Sequence, residues 1–125
     1  MLLFHALAPE RLSRLAARAV AAGTENGQLA CADISLWEIG MLHARGRLGL
    51  PADVRIDRFI ADVLLDLQLQ VLPITPEIAA VSQDPRFAHG DPADRLIAAT
   101  ALAEGLPLIT ADSRLQAVTA LRCVW

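Results

Sequence analysis

Glu38, Asp94 and Asp112 are the side chains whose type and placement in this sequence point to chemistry. Glu38 closes Ser35-Leu36-Trp37-Glu38, and Asp94 lies in His89-Gly90-Asp91-Pro92-Ala93-Asp94-Arg95. Asp112 follows the apolar run Pro107 to Thr110. Each marks a strand-to-helix or loop-to-helix junction, so all three can share one edge of a sheet. Carboxylates brought close together repel and raise one another's pKa, a penalty that a bound cation removes. Oxygen-only ligands suit Mg²⁺ or Mn²⁺ rather than zinc. An ion held this way polarises a phosphate and activates water for in-line attack, so the chemistry indicated is hydrolysis of a phosphodiester.

Each acid also has a structural explanation. Ser35 and Glu38 have the S-x-x-E spacing of a capping box, which for this motif alone is the stronger reading. Asp91 as N-cap with Pro92 at the first helical position makes an ordinary helix start, and Asp112 can cap the short helix that follows it. Asp94 is harder to dismiss. It stands three and four residues before Ile97 and Ala98 and shares their face, and an acid on a core-facing stripe needs a partner or a metal. Thr75-Pro76-Glu77 has the same junction grammar, yet Glu77 is expected only to serve the first turn of its helix. His89 is expected to be structural or exposed, and His5 and His43 have no matching partners. Arg45 and Arg47, flanking Gly46, either meet phosphates or form a solvated turn, the second being the stronger reading.

Composition bounds these choices. The 125 residues fit one domain spanning 1–125, and 54% hydrophobic content supplies an ample core. All 11 basic residues are Arg against 14 acids, a net charge of −3, which argues against a broadly basic nucleic-acid-coating surface but leaves room for a site whose metal supplies local positive charge. Cys31 and Cys123 lack zinc or redox spacing and read as small buried hydrophobes. The opening residues have no basic n-region, and no stretch approaches the roughly 20 apolar residues of a membrane span. A soluble protein of the reducing cytoplasm, with no membrane partner, is expected. No GxSxG elbow, P-loop or GxGxxG occurs.

The elements that must position the acids alternate. Helices are expected over Pro9–Ala22, Ser35–Ala44, Ile56–Leu67, from Pro76 to near Asp84, over Pro92–Glu104 and over Ser113–Val118. Strands are expected over Gln28–Ala32, Leu69–Ile74, Pro107–Thr110 and Leu121–Val124. Short apolar strands alternating with helices indicate an α/β fold with a mainly parallel sheet, whose ligands bind at the carboxyl ends of the strands.

Three segments carry a resemblance: Ile34-Ser35-Leu36-Trp37-Glu38-Ile39, His89 to Ala101 with its acid followed by an Ile-Ala-Ala helix, and Leu108-Ile109-Thr110-Ala111-Asp112. Together they resemble PIN domains, most closely the VapC-type toxins of bacterial toxin–antitoxin pairs, over nearly the whole chain. The resemblance implies a three-layer α/β/α fold and a metal-dependent endoribonuclease that cleaves RNA, is inhibited by a cognate antitoxin and forms a homodimer. It gives Glu38, Asp94 and Asp112 the role of metal-binding acids, with Asp91 beside them and Ser35 and Thr110 in support. Such proteins open with an apolar strand ending in an acid, and this strand is central in their sheet. Here Met1 to Leu7 looks like the segment after that acid, so the strand and its Asp are expected to be missing and the activity weakened. Two alternatives follow: a catalytically impaired PIN remnant that only binds an antitoxin or another partner, and a small α/β nucleotide-binding or signalling domain whose acids are all caps.

Overall fold

The computed structural model describes residues 7–87 and 90–125. The readings made for His5 and His89, and for Met1 to Ala6, fall outside the described residues. A short 3-10 turn at Pro9–Arg11 precedes α1 (Arg14–Glu25). The single helix expected from Pro9 is interrupted because Ser13 adopts an extended conformation and accepts the Ala16 N–H at 3.0 Å. A local cap of this kind overrides the apolar periodicity that runs through it. The end of α1 turns tightly onto the next strand: a Cβ at Gly23 would collide with the Leu29 side chain, so glycine there lets Leu29 enter the core.

Next come β1 (Ala30–Ala32), α2 (Asp33–Ala44), α3 (Ile56–Asp66) and β2 (Gln70–Leu72). The helix α2 begins at Asp33, not at Ser35, and its N-cap, Ala32, offers no side-chain hydrogen bond. What holds this entry is tertiary: Asp33 Oδ2 accepts the Ile74 N–H at 3.0 Å, tying the start of α2 to the segment that follows β2. Ser35 and Glu38 therefore lie inside the helix, and the capping box does not form.

The chain continues through α4 (Pro76–Val81), α5 (Pro92–Ala103), β3 (Leu108–Ile109), α6 (Ser113–Gln116) and β4 (Cys123–Val124). Thr75 caps α4 through the Ile78 N–H at 3.2 Å, and Glu77 sits in the first turn, as expected. Asp91 caps α5 through the Ala93 N–H at 2.9 Å with Pro92 behind it, and Gly105, at φ +65°, ends the run. Ala93, Ala98, Ala99, Thr100 and Ala101 are buried on α5. Small residues at a helix contact permit a close approach, and α5 packs against α4, α2 and β1. The Thr100 hydroxyl, buried among them, donates to Leu96 O at 2.8 Å, so it leaves no orphaned donor.

The strands pair in parallel, as the alternating pattern implies: β1 with β2 in the register Ala30↔Gln70, Cys31↔Val71 and Ala32↔Leu72, and β3 with β4 in the register Leu108↔Cys123 and Ile109↔Val124. Among the described residues these are two separate two-stranded sheets. The core divides accordingly. Ile78, Phe87, Ala98, Ala99, Leu115 and Leu121 make one cluster, while Val20, Leu29, Cys31, Ile39 and Leu67 make the other. Successive residues of β3 serve different clusters, Leu108 the first and Ile109 the second, as the two-residue period of a strand requires.

Candidate active site

Glu38 on α2 and Asp94 on α5 line a common cavity of about 300 Å³. Its polar walls are completed by Ser35, Thr100 and Thr110, and most of the remainder is apolar. Asp94 stands in the first turn of α5, where the helix dipole favours a negative charge. Glu38 is half-buried. Its carboxyl pKa is raised, first by burial and then by the negative charges of Asp94 and Asp91. Two acids from the same helix start thus act electrostatically on an acid from a different helix, which brings the second and first of the sequence motifs together in space.

Glu38 also faces a second cleft of about 650 Å³, which it shares with Trp37, Met41, Arg45, Asp91 and Leu96. Arg45 and Arg47 are exposed around the turn that Gly46 supplies at φ +64°, as the solvated-turn reading expects, and Arg45 also lines this cleft with Glu38 and Asp91. Trp37 is 59% exposed.

Asp112 is placed differently. Its Oδ1 accepts the N–H groups of Arg114 at 2.8 Å and Leu115 at 3.4 Å, so the capping role is realised. Its own N–H donates to Thr110 Oγ1 at 3.1 Å. Thr110 and Leu115 line the cavity on either side of it in sequence, whereas Asp112 does not. Among the described residues no three Asp, Glu, His or Cys side chains gather closely enough to hold a metal ion. Glu38, Asp94 and Asp91 nevertheless fit a hard divalent cation in kind: all donors are oxygen, and the charges of Asp94 and Asp91 add to burial in raising the Glu38 pKa.

Two residues near the site went unnoticed in the sequence. Thr100 lines the cavity one helical face along from Asp94, and only its position i+6 from an acid in an otherwise apolar helix marks it. Asp33 follows β1 directly and carries a buried Oδ1 without a hydrogen-bond partner among the described residues, together with the Oδ2 that holds Ile74. Its charge adds to burial in pushing the Cys31 thiol up to about 11. Both cysteines are free; Cys31 is buried, as expected, whereas Cys123, near the chain's end on β4, is only partly buried.

The profile of the PIN domain matches residues 2–121. The chain belongs to the PIN-domain family. Among curated proteins it is similar to "Ribonuclease VapC22" of Mycobacterium tuberculosis (strain ATCC 25618 / H37Rv), with 37% identity over 111 residues that cover 86% of this chain and 78% of the relative. It is a PIN protein of the VapC type. No solved structure matches it significantly. Glu38, Asp94 and Asp112 all lie within the PIN match, and so do both clefts. No helix among the described residues is long and apolar enough to cross a membrane.

The electrostatics of this PIN domain carry a measurable consequence. A carboxyl whose folded pKa is raised above its unfolded value favours folding while it is protonated in both states, and that contribution is lost as pH rises through the folded pKa. Glu38 is such a group. Without divalent metal, the stability of the protein is expected to include a component that declines as pH rises from the ordinary carboxylate range through the raised Glu38 value. Glu38→Gln flattens that component and raises the neutral-pH melting temperature. Thermal melts of both forms across this range in EDTA check it, and parallel profiles would show that Glu38 is not under strain from its neighbours.

Proposed function

We propose that this protein is a metal-dependent endoribonuclease toxin that hydrolyses RNA phosphodiesters. The observation that carries the reading is the cavity shared by Glu38 and Asp94, with the Glu38 carboxyl pushed up by Asp94 and Asp91, in a PIN domain similar to a protein named as a ribonuclease. Glu38, Asp94 and Asp91 would hold Mg²⁺ or Mn²⁺, with Asp112 as a further acid. A divalent ion bound there supplies Lewis-acid polarisation of the phosphate and an activated water.

The chain's own residues prepare that state. Glu38, pushed towards its neutral form by burial and by Asp94, would be favoured in its charged form by a cation held in the site. Asp91 keeps α5 in place through its bond to the Ala93 N–H while adding negative charge to the cluster. Arg45, in the cleft that also contains Glu38 and Asp91, offers a planar guanidinium to the RNA backbone at the edge of an otherwise acidic site. A cognate antitoxin as inhibitor, assembly as a homodimer and residence in the cytoplasm belong to the same reading.

A second reading is favoured by one observation: the Asp112 carboxylate is engaged as a helix cap and does not line the cavity. On that reading the protein is a catalytically impaired PIN remnant that binds an antitoxin or another partner. The test is cleavage of a labelled RNA by the purified chain during titration with MgCl₂ or MnCl₂, against EDTA, with melting temperatures recorded in parallel. Cleavage that rises with metal, together with a melting temperature that rises with metal as a native-state ligand requires, supports the toxin. A stable protein with neither response sinks it and leaves the remnant.

A further inference from the structure

The acids around Glu38 belong to two elements, Glu38 to α2 and Asp91 and Asp94 to the start of α5, so their spacing depends on how α5 is seated against its neighbours. The cap bond from the Ala93 N–H to Asp91 moves with the helix and cannot fix that seating. The buried face of α5 resists sliding only weakly, because Ala93, Ala98, Ala99 and Ala101 form shallow ridges with little to interlock. A directional bond supplies what shape does not. The Arg95 Nε–H donates to Ser82 O at 2.8 Å, reaching 13 residues back to the end of α4.

Ser82 is the C-cap of α4 and is 2% exposed. Its N–H donates to Ile78 O at 2.9 Å and its hydroxyl to Ala79 O at 2.7 Å. What remains is a buried carbonyl at a helix end, and such a group requires a donor. Arg95 provides one from the position next to Asp94. The same bond determines where the Arg95 charge goes. A guanidinium adjacent to Asp94 in sequence could neutralise the acids and compete with a cation, yet Arg95 is held at α4 and lines neither cleft. The described groups whose charges act on Glu38 are Asp94 and Asp91, and no arginine is among them.

We propose that Arg95 is a positioning residue of the metal site: its bond to the Ser82 carbonyl holds the start of α5, and with it Asp91 and Asp94, in place relative to Glu38. It rests on the metal-dependent reading of the site and adds to it a residue that touches neither the cation nor the RNA.

Two substitutions separate the bond from the charge. Arg95→Gln puts an amide nitrogen as far along the side chain as Nε, so the donor stays and the charge goes. Arg95→Met keeps an unbranched apolar stem and removes both. Arg95→Ala, which leaves room for water at the Ser82 carbonyl, replaces the methionine variant if that does not fold, with the same result expected. Mn²⁺ binding to the full chain is read by electron paramagnetic resonance, and the seating of α5 by methyl NOEs between α2 and α5 in EDTA. The glutamine variant should bind Mn²⁺ as the parent does. The methionine variant should bind it about tenfold to a hundredfold more weakly, the usual loss when a group supporting a metal ligand is removed, and it alone should show altered NOEs. Leu121→Ala, cut from the core cluster away from both clefts, controls for lost stability and should keep the parent's affinity. Undiminished binding by the methionine variant, equal losses in both Arg95 variants, or an equal loss in Leu121→Ala overturns the role of Arg95 and leaves the metal-dependent reading standing. A parent chain that binds no Mn²⁺ overturns that reading, and the role of Arg95 with it.

Discussion

Asp94→Asn is expected to lower metal-dependent RNA cleavage by roughly a hundredfold or more, at least the loss that follows disturbance of groups supporting a metal ligand. Asparagine keeps the shape and the hydrogen-bonding oxygen of the side chain and removes its charge. The start of α5 should survive, because its cap is Asp91 and not Asp94. The substitution also relieves one of the charges acting on Glu38, so the Glu38 carboxyl should titrate closer to its ordinary value. A ¹³C-detected titration of the glutamate carboxyls reads that second effect without reference to activity. Measured with the same RNA and metal as the parent, a variant that folds, shifts Glu38 and cleaves poorly joins Asp94 to both the cluster and the reaction. Unchanged cleavage would remove Asp94 from the site, and unchanged Glu38 titration would separate the two acids.

The parts of this molecule that were legible in its sequence are those fixed by local signals. For α5 everything agrees locally: Asp91 and Pro92 start it, Gly105 stops it, and its apolar residues run all round because it is buried on most sides. Expected and observed boundaries elsewhere differ mostly by a residue or two, the usual range at frayed ends. Where two local signals competed, the order of preference was not evident beforehand. The Ser13 cap wins over periodicity in the first helix. At α2 the S-x-x-E spacing was overruled by a hydrogen bond from Ile74, far along the chain, to Asp33.

The site was harder to read than the fold for a related reason. A carboxylate at a helix start caps and ligates with the same oxygens, so sequence cannot separate the two uses. In three dimensions they separate: Glu38 is no cap and meets Asp94 and Asp91 electrostatically, whereas Asp112 binds two backbone N–H groups. The division of the strands into two pairs was equally invisible. Pairing is set by contacts between distant segments, and the composition of Ala30–Ala32 or Leu108–Ile109 contains nothing that says which edge is covered.

Leu115→Ala tests how far the site depends on the core beneath it. Leu115 is 2% exposed and packs in the cluster formed by Ile78, Phe87, Ala98 and Leu121, yet it also lines the cavity. It belongs to α6, only four residues long, too short to hold itself by helix propensity. What fixes α6 is the cap from Asp112 at its start and the burial of Leu115 within it. Truncating a buried Leu to Ala costs about 2–5 kcal/mol, a large share of the roughly 5–15 kcal/mol that holds a domain together. Loss of that order corresponds to a fall in melting temperature of about 10 °C or more for a chain of this size. Leu65, 76% exposed on α3, supplies the control, since its replacement by Ala should change stability by no more than about 0.5 kcal/mol. Urea unfolding of the two variants decides the matter: a large drop for Leu115→Ala beside a small one for Leu65→Ala places the Asp112 loop on the hydrophobic core. Equal losses would mean that α6 is held by its cap alone, and that the core ends short of the cavity.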